Sequence, residues 1–180
     1  MSRVRWLAIA PLVLVLAGCG GSNPNAAPAR TSKLVDCVSA TPPNVPDHGY
    51  SICGRSGSGG RGPSRIVRGS IVVAEPVETV GRWLGAYLSP DGTTLLAQWS
   101  GACEIPVAYF VPAEGGRARP ITRVDGTGSA ESVALGWRGS RALVHLPRGE
   151  WPNRRPGVYV VDPKTMRKTL VRSKPPRRGC

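Results

Sequence analysis

Beyond residue 63 the chain is a succession of short apolar or alternating runs, each of strand length. They cover residues 64–74, 83–88, 94–99, 107–111, 132–137, 142–146, 158–161 and 168–171. The runs are rich in Val, Leu, Tyr and Trp and are separated by turn residues, the pattern of β-strands. Pro and Gly recur every few positions, which leaves little room for long helices. No stretch sustains an apolar period of 3.6. The pattern predicts an all-β protein.

The runs repeat in pairs. Leu88-Ser89-Pro90-Asp91-Gly92-Thr93-Thr94-Leu95-Leu96-Ala97-Gln98-Trp99 reads as strand, turn, strand, and Leu135-Gly136-Trp137-Arg138-Gly139-Ser140-Arg141-Ala142-Leu143-Val144-His145 has the same shape. A second unit follows each: Ala108-Tyr109-Phe110-Val111 and its turn in one case, Val158-Tyr159-Val160-Val161-Asp162 and its turn in the other. Ile71-Val72-Val73-Ala74 with residues 75–80 reads as an earlier, degenerate copy. Each repeat is then a four-stranded antiparallel unit of about 40–50 residues, the length of a propeller blade.

The Ser89-Pro90-Asp91-Gly92 turn with Leu95-Leu96-Ala97 resembles the TolB-like, or PD40, β-propeller repeat, and so does Val158-Tyr159-Val160-Val161-Asp162 followed by a basic strand. The resemblance covers roughly residues 83–172. The second copy has lost Pro-Asp-Gly and carries Trp137-Arg138-Gly139 instead. The turn has a physical logic: Pro90 sets φ, Asp91 bonds its own turn backbone, and Gly92 takes a positive φ. The resemblance implies a small, disulfide-capped array of four-stranded propeller-type blades, two clear and one partial. Closed propellers typically have 4–8 blades. Three arrangements would protect so short an array: a cap made by the Cys37–Ala74 region, self-association, or a β-sandwich built from the same hairpins.

The N-terminus has a different pattern. Arg3 and Arg5 precede an apolar run of about 11 residues, Trp6 to Leu16, which suits a secretory h-region and is too short for a membrane span. It closes on Leu16-Ala17-Gly18-Cys19, which resembles the lipobox of bacterial lipoproteins. That resemblance implies diacylglyceryl transfer to the Cys19 thiol, cleavage before it, and anchoring on the extracytoplasmic face of the cell membrane. Two acyl chains suffice for stable anchoring, at ~0.8 kcal/mol per buried methylene. Residues 1–18 are thus expected to be a signal peptide. Residues 19–33, small and rich in Pro and Asn, are expected to be a flexible tether. Residues 34–180 remain as one β-repeat domain.

Cysteine usage agrees with export. Beyond Cys19 stand Cys37, Cys53, Cys103 and Cys180, an even number that suggests two disulfides with three connectivities open. Cys37–Cys53 would close the Pro-rich loop at residues 41–47 and leave Cys103–Cys180, two positions that the blade register puts on the same rim. A metal site is not indicated: there is no CxxC, and His48 and His145 lie far apart in different contexts.

Charge adds a second constraint. The chain carries 24 Lys and Arg against 11 Asp and Glu, a net charge of +13. After Asp162 no acidic residue occurs, while Lys164, Arg167, Lys168, Arg172, Lys174, Arg177 and Arg178 follow. Such a tail is drawn to anionic lipid or acidic envelope polymer, or simply keeps the end of the chain solvated. No nucleic-acid-binding motif is present, and an export signal removes that partner.

Catalytic motifs are missing. Gly57-Ser58-Gly59-Gly60-Arg61-Gly62 matches G-x-G-x-x-G as a string, but Pro63 and a strand follow where a dinucleotide site needs a helix. Asp125-Gly126-Thr127-Gly128 starts like a calcium loop, yet Gly136 stands where the bidentate Glu belongs. There is no G-x-S-x-G, and neither histidine has a triad context. The sequence therefore points to no catalytic residue, no metal and no cofactor. It points to a lipid-anchored binding or scaffolding module with an envelope partner. The alternative is a small secreted hydrolase or ligand-binding lipoprotein whose site is assembled in space. Exposed Trp83, Trp99 or Trp137 would favour the first, and a pocket around His145 the second.

Overall fold

The structure, a computed structural model, describes residues 34–55, 63–101, 104–122, 131–147 and 155–173. Twelve strands form three four-stranded antiparallel sheets, each a meander of sequence neighbours. The first holds β1 (Leu34–Ser39), β2 (Tyr50–Arg55), β3 (Ser64–Arg68) and β4 (Ile71–Ala74). The second holds β5 (Arg82–Leu88), β6 (Thr94–Ser100), β7 (Pro106–Pro112) and β8 (Arg119–Pro120). The third holds β9 (Val133–Arg138), β10 (Arg141–Leu146), β11 (Gly157–Val161) and β12 (Lys168–Arg172). This is the all-β architecture of four-stranded units that the sequence predicts. The N-terminal unit is complete rather than partial: Ile71–Ala74 is its fourth strand, paired to Ser64–Arg68.

The sheets stack face to face, with the second in the middle. Its strands β6 and β7 are buried on both faces, which is why they read as near-continuous apolar runs instead of alternating ones. Leu95, Ala97 and Trp99 of β6, with Val107, Tyr109 and Val111 of β7 and Trp83 of β5, pack on the first sheet against Ile52, Ile66 and Val73. The intervening Leu96, Ala108 and Phe110 pack on the third sheet against Ala142, Val144, Tyr159 and Val161. Each fully buried large apolar side chain stabilises by roughly 1.5–3 kcal/mol. Trp83 meets Trp99 and Tyr109 edge to face, with centroids 5.1 and 5.6 Å apart. Such pairs add ~0.5–1.5 kcal/mol beyond their burial.

Hydrogen bonds join the layers as well. The Ala86 N–H donates to the Ala40 carbonyl at 2.8 Å, and the Trp83 N–H to Ser64 Oγ at 2.7 Å, tying the second sheet to the first. The third sheet is tied to the second by Gln98. Its Oε1 accepts from the Ala134 N–H at 2.7 Å, and its Nε2 donates to the Ser132 carbonyl at 3.1 Å.

The turns carry the chemistry expected of them. Asp91 Oδ1 accepts from Ser89 Oγ at 2.6 Å, from the Thr93 N–H at 3.1 Å and from Thr93 Oγ1 at 2.9 Å, while Gly92 takes φ +72°. In the third sheet, Gly139-Ser140 makes a two-residue hairpin in place of Pro-Asp-Gly.

Cys37 and Cys53 are direct cross-strand partners on β1 and β2 and form a disulfide, with Cα atoms 4.2 Å apart. It pins the edge strand of the end sheet, whose residues 36–39 are all exposed. The leader, the tether, Cys19, Cys103, Cys180, the Gly57–Gly62 string and the Asp125–Gly128 stretch lie outside the described residues.

Candidate functional site

The chain leaves the first sheet at Ala74 and runs through Glu75-Pro76-Val77-Glu78 toward β5. Pro76 has no N–H to extend the ladder, so pairing stops there and the segment stands away from the sheet. Opposite it, Gly116-Arg117-Ala118 connects β7 to β8. Between the two connections opens a cleft of about 470 Å³, with Tyr109 of β7 and Pro120 of β8 completing its lining. The cleft therefore lies at the junction of the first two sheets, and each of its walls comes from a different stretch of chain.

Tyr109 is 97% buried by its neighbours, being only 3% exposed, and its ring is fixed against Trp83. Tyr109 lines the cleft, and its hydroxyl has no hydrogen bond to any described residue. Burial, and secondarily the negative charge of Glu78, push its pKa up to about 12, so the phenol stays neutral at any physiological pH.

The two carboxylates of the cleft differ. Glu75 is paired with Arg65 at 2.6 Å, and its backbone carbonyl accepts from Trp83 Nε1 at 3.3 Å. Glu78 has no ion pair with a described residue. It reaches toward the turn after β6, where a Cβ added to Gly101 would lie 3.3 Å from its Oε2 and 3.9 Å from Trp99 Nε1. That indole N–H is buried without an acceptor among the described residues. Arg117 lines the cleft opposite Glu78's connection and is also free of an ion pair with any described residue.

A second cleft, of about 400 Å³, lies where β11 turns into β12. It is lined by Arg141, Val160, Asp162, Thr165, Arg167 and Thr169. Its carboxylate is already engaged: Asp162 Oδ1 accepts from the N–H groups of Lys164 and Thr165, each at 2.9 Å. The Thr165 N–H above all holds the Asp162 carboxyl below the usual range, and Arg141 contributes to the shift.

The residues singled out in the sequence are placed as follows. Cys37 and Cys53 come together. Trp83 and Trp99 are core residues, 2% and 1% exposed, and form no exposed aromatic face. Trp137 is half-buried and donates from Nε1 to the Tyr87 carbonyl at 2.9 Å. His145 is half-buried in β10 between its cross-strand neighbours Val133 and Val158, and His48 is exposed in the β1–β2 loop. Among the described residues no group of three His, Cys, Asp or Glu could hold a metal ion. The Tyr109 cleft went unread in the sequence. The one available signal was a tyrosine on the strand Val107–Val111, whose other residues are all apolar.

No family model matches the chain, and no curated protein matches it. Among solved structures it is similar to a chain described as "putative TolB from Agrobacterium tumefaciens", at 17% sequence identity and a TM-score of 0.41. The likeness covers 67% of this chain and 41% of that one, and it concerns the fold alone.

Proposed function

We propose that this protein is a lipid-anchored binding or scaffolding module of the bacterial cell envelope, held on the extracytoplasmic face by acyl chains on Cys19. The lipobox-like Leu16-Ala17-Gly18-Cys19 and the Pro- and Asn-containing stretch after it support the anchor and the tether. A β array tied by the Cys37–Cys53 disulfide supports export into an oxidising compartment. The basic residues after Asp162, with Arg141 and Arg167 around the second cleft, would draw the domain toward anionic lipid or polymer.

The observation that carries binding, rather than catalysis, is the cleft between the first two sheets. It is a concave site on a rigid frame, with apolar walls and a few convergent polar groups, the make-up of a ligand pocket. His145, by contrast, stands across from valines on both neighbouring strands and has no hydrogen bond or ion pair to a carboxylate among the described residues.

Replacing the lipid acceptor tests the anchor. Cys19→Ala should move the protein from the membrane fraction to the soluble fraction and change its gel mobility. Retention of the variant in the membrane with unchanged mobility would overturn the lipoprotein reading.

A further inference from the structure

We propose that the cleft between the first and second sheets binds a small zwitterion with an aliphatic body, an amino acid or short peptide. Its ammonium would sit at Glu78 and Tyr109 and its carboxylate at Arg117. This deepens the binding-module reading and rests on it for the idea that the domain works by binding.

The donors and acceptors define the ligand. Glu78 is an acceptor only and has no ion pair with a described residue, in a chain with more than twice as many basic as acidic side chains. Beside it the Tyr109 hydroxyl offers one donor and free lone pairs, and no described residue bonds to it. A neutral phenol can donate to the Glu78 carboxylate while accepting from a third group. The group that satisfies both oxygens is one with several N–H donors and a positive charge, an ammonium.

Arg117 supplies the opposite requirement. Its guanidinium has five donors and no acceptor, and it lines the same cleft without an ion pair to Glu78. A ligand carboxylate suits it, in the bidentate geometry that arginine favours. Pro76, Val77, Ala118 and Pro120 add apolar wall between the two charges. The volume, about 470 Å³, falls in the ~300–1,000 Å³ range of small-molecule sites. The cleft on the third sheet suits such a ligand less well. There Asp162 already stands among Arg141 and Arg167 with its oxygen bonded to the turn, so an anion would meet a resident carboxylate.

The test uses the full chain purified in detergent, titrated with leucine and with the dipeptide Ala-Leu. Calorimetry gives the affinity, and tryptophan fluorescence reports through Trp83, whose ring touches Tyr109. At least one ligand should bind saturably. Acetylating its amine, or replacing Glu78→Gln, should weaken binding about tenfold or more, the worth of one charge-assisted hydrogen bond. Amidating the carboxylate, or replacing Arg117→Gln, should do the same. The N-acetylated ligand should lose nothing further in Glu78→Gln, which shows that the two changes remove one contact. Binding of the dipeptide alone would assign a peptide terminus, and binding of leucine alone a free amino acid. No saturable binding of either at about 10 mM would overturn the proposal, as would binding indifferent to blocking both ligand charges. Either failure leaves the Cys19→Ala fractionation result untouched, so the anchor and the ligand stand or fall separately.

Discussion

Gln98 on β6 caps the Ala134 N–H at the start of β9 from 2.7 Å and returns a hydrogen bond to the Ser132 carbonyl at 3.1 Å. Gln98 is 9% exposed and Ser132 is fully buried. The pair of bonds lets a polar side chain occupy the middle of a strand that is otherwise apolar on both faces. It also fixes where the third sheet docks on the second. Ser132 extends the network, since its Oγ accepts from the Ala108 N–H at 2.9 Å.

Gln98→Met should therefore destabilise the protein although it nearly conserves volume. It leaves the Ala134 N–H and the Ser132 carbonyl buried without this partner, at a cost of ~1–3 kcal/mol per unsatisfied group. Gln98→Ala should cost more, because a void is added. Urea unfolding midpoints of the two variants separate the hydrogen-bond loss from the packing loss. A Met variant as stable as the parent would mean that water replaces the amide at this junction.

The buried phenol of Tyr109 predicts an alkaline effect. Its folded pKa, about 12, lies above the ordinary value of 10.0, so the neutral form is the one the fold favours. That contribution is fully present below pH ~10 and is lost as pH rises through about 12. In a spectrophotometric titration of the folded protein, Tyr109 should ionise late, and Tyr109→Phe should remove that late step. The variant should also lose stability less steeply above pH ~10. Tyr87, raised by its own burial, should remain as a second delayed tyrosine.

Most of the fold was legible in the sequence, for identifiable reasons. The runs at 94–99 and 107–111 stood out because both faces of β6 and β7 are buried, leaving little room for polar residues. The Asp91 turn was readable because its hydrogen bonds are local. The run at 64–74 looked like one segment, since nothing apolar or polar marks Gly69-Ser70 strongly, yet the chain turns there and makes β3 and β4. β1 and β2 leave little pattern because Asp36, Ser39, Ser51 and Gly54 interrupt their apolar positions, and β1 is an exposed edge. β8 is only Arg119–Pro120, too short to leave a pattern. The cleft was illegible for a different reason. Glu78 lies on a different stretch of chain from Tyr109 and Arg117, which share the β7–β8 hairpin, and it meets them only through the packing of one sheet on another. The same packing turned Trp83 and Trp99, candidate surface aromatics, into core.

Gly81 gives a prediction about that packing. It enters β5 with φ +120°, and a Cβ there would collide with the Ser100 carbonyl and lie 2.9 Å from both Gly101 Cα and Trp99 Cζ2. Neither backbone can yield without shifting the β5–β6 pairing. Gly81→Ala should cost at least ~2 kcal/mol. Gly92→Ala is the control, because φ is +72° but nothing lies within 4 Å. It should cost only the ~1–2 kcal/mol of a left-handed alanine. Thermal unfolding of the two variants should rank them in that order.

The acid limb should reflect the turns. Asp91 is held below the usual carboxylate range, first by the Ser89 hydroxyl and then by the Thr93 N–H, and Asp162 is held there by the Thr165 N–H. Because the folded values are lowered, each contribution is present above the ordinary carboxylate pKa and is lost as pH falls through the folded one. Carboxyl carbon NMR should find both titrating below the ordinary aspartate value. Ser89→Ala should move Asp91 upward and leave Asp162 in place. Equal movement of both would tie the shifts to global unfolding instead of local hydrogen bonds.

The Cys37–Cys53 bond carries the last prediction. It joins directly paired positions 16 residues apart, on an edge strand whose residues 36–39 are exposed and bury little apolar surface. Loop closure of that length contributes ~3 kcal/mol in the chain-entropy model. Cys37→Ser with Cys53→Ser should lower stability by about that amount. Hydrogen exchange should rise first in residues 36–39 and their β2 partners, well before the β6–β7 core exchanges, since few other contacts hold β1 in place. Peptide mapping under non-reducing conditions should recover the Cys37–Cys53 link. A Cys53–Cys103 peptide would contradict the Cys37–Cys53 bond, because Cys53 can bond only one partner and Cys37 stands directly across from it.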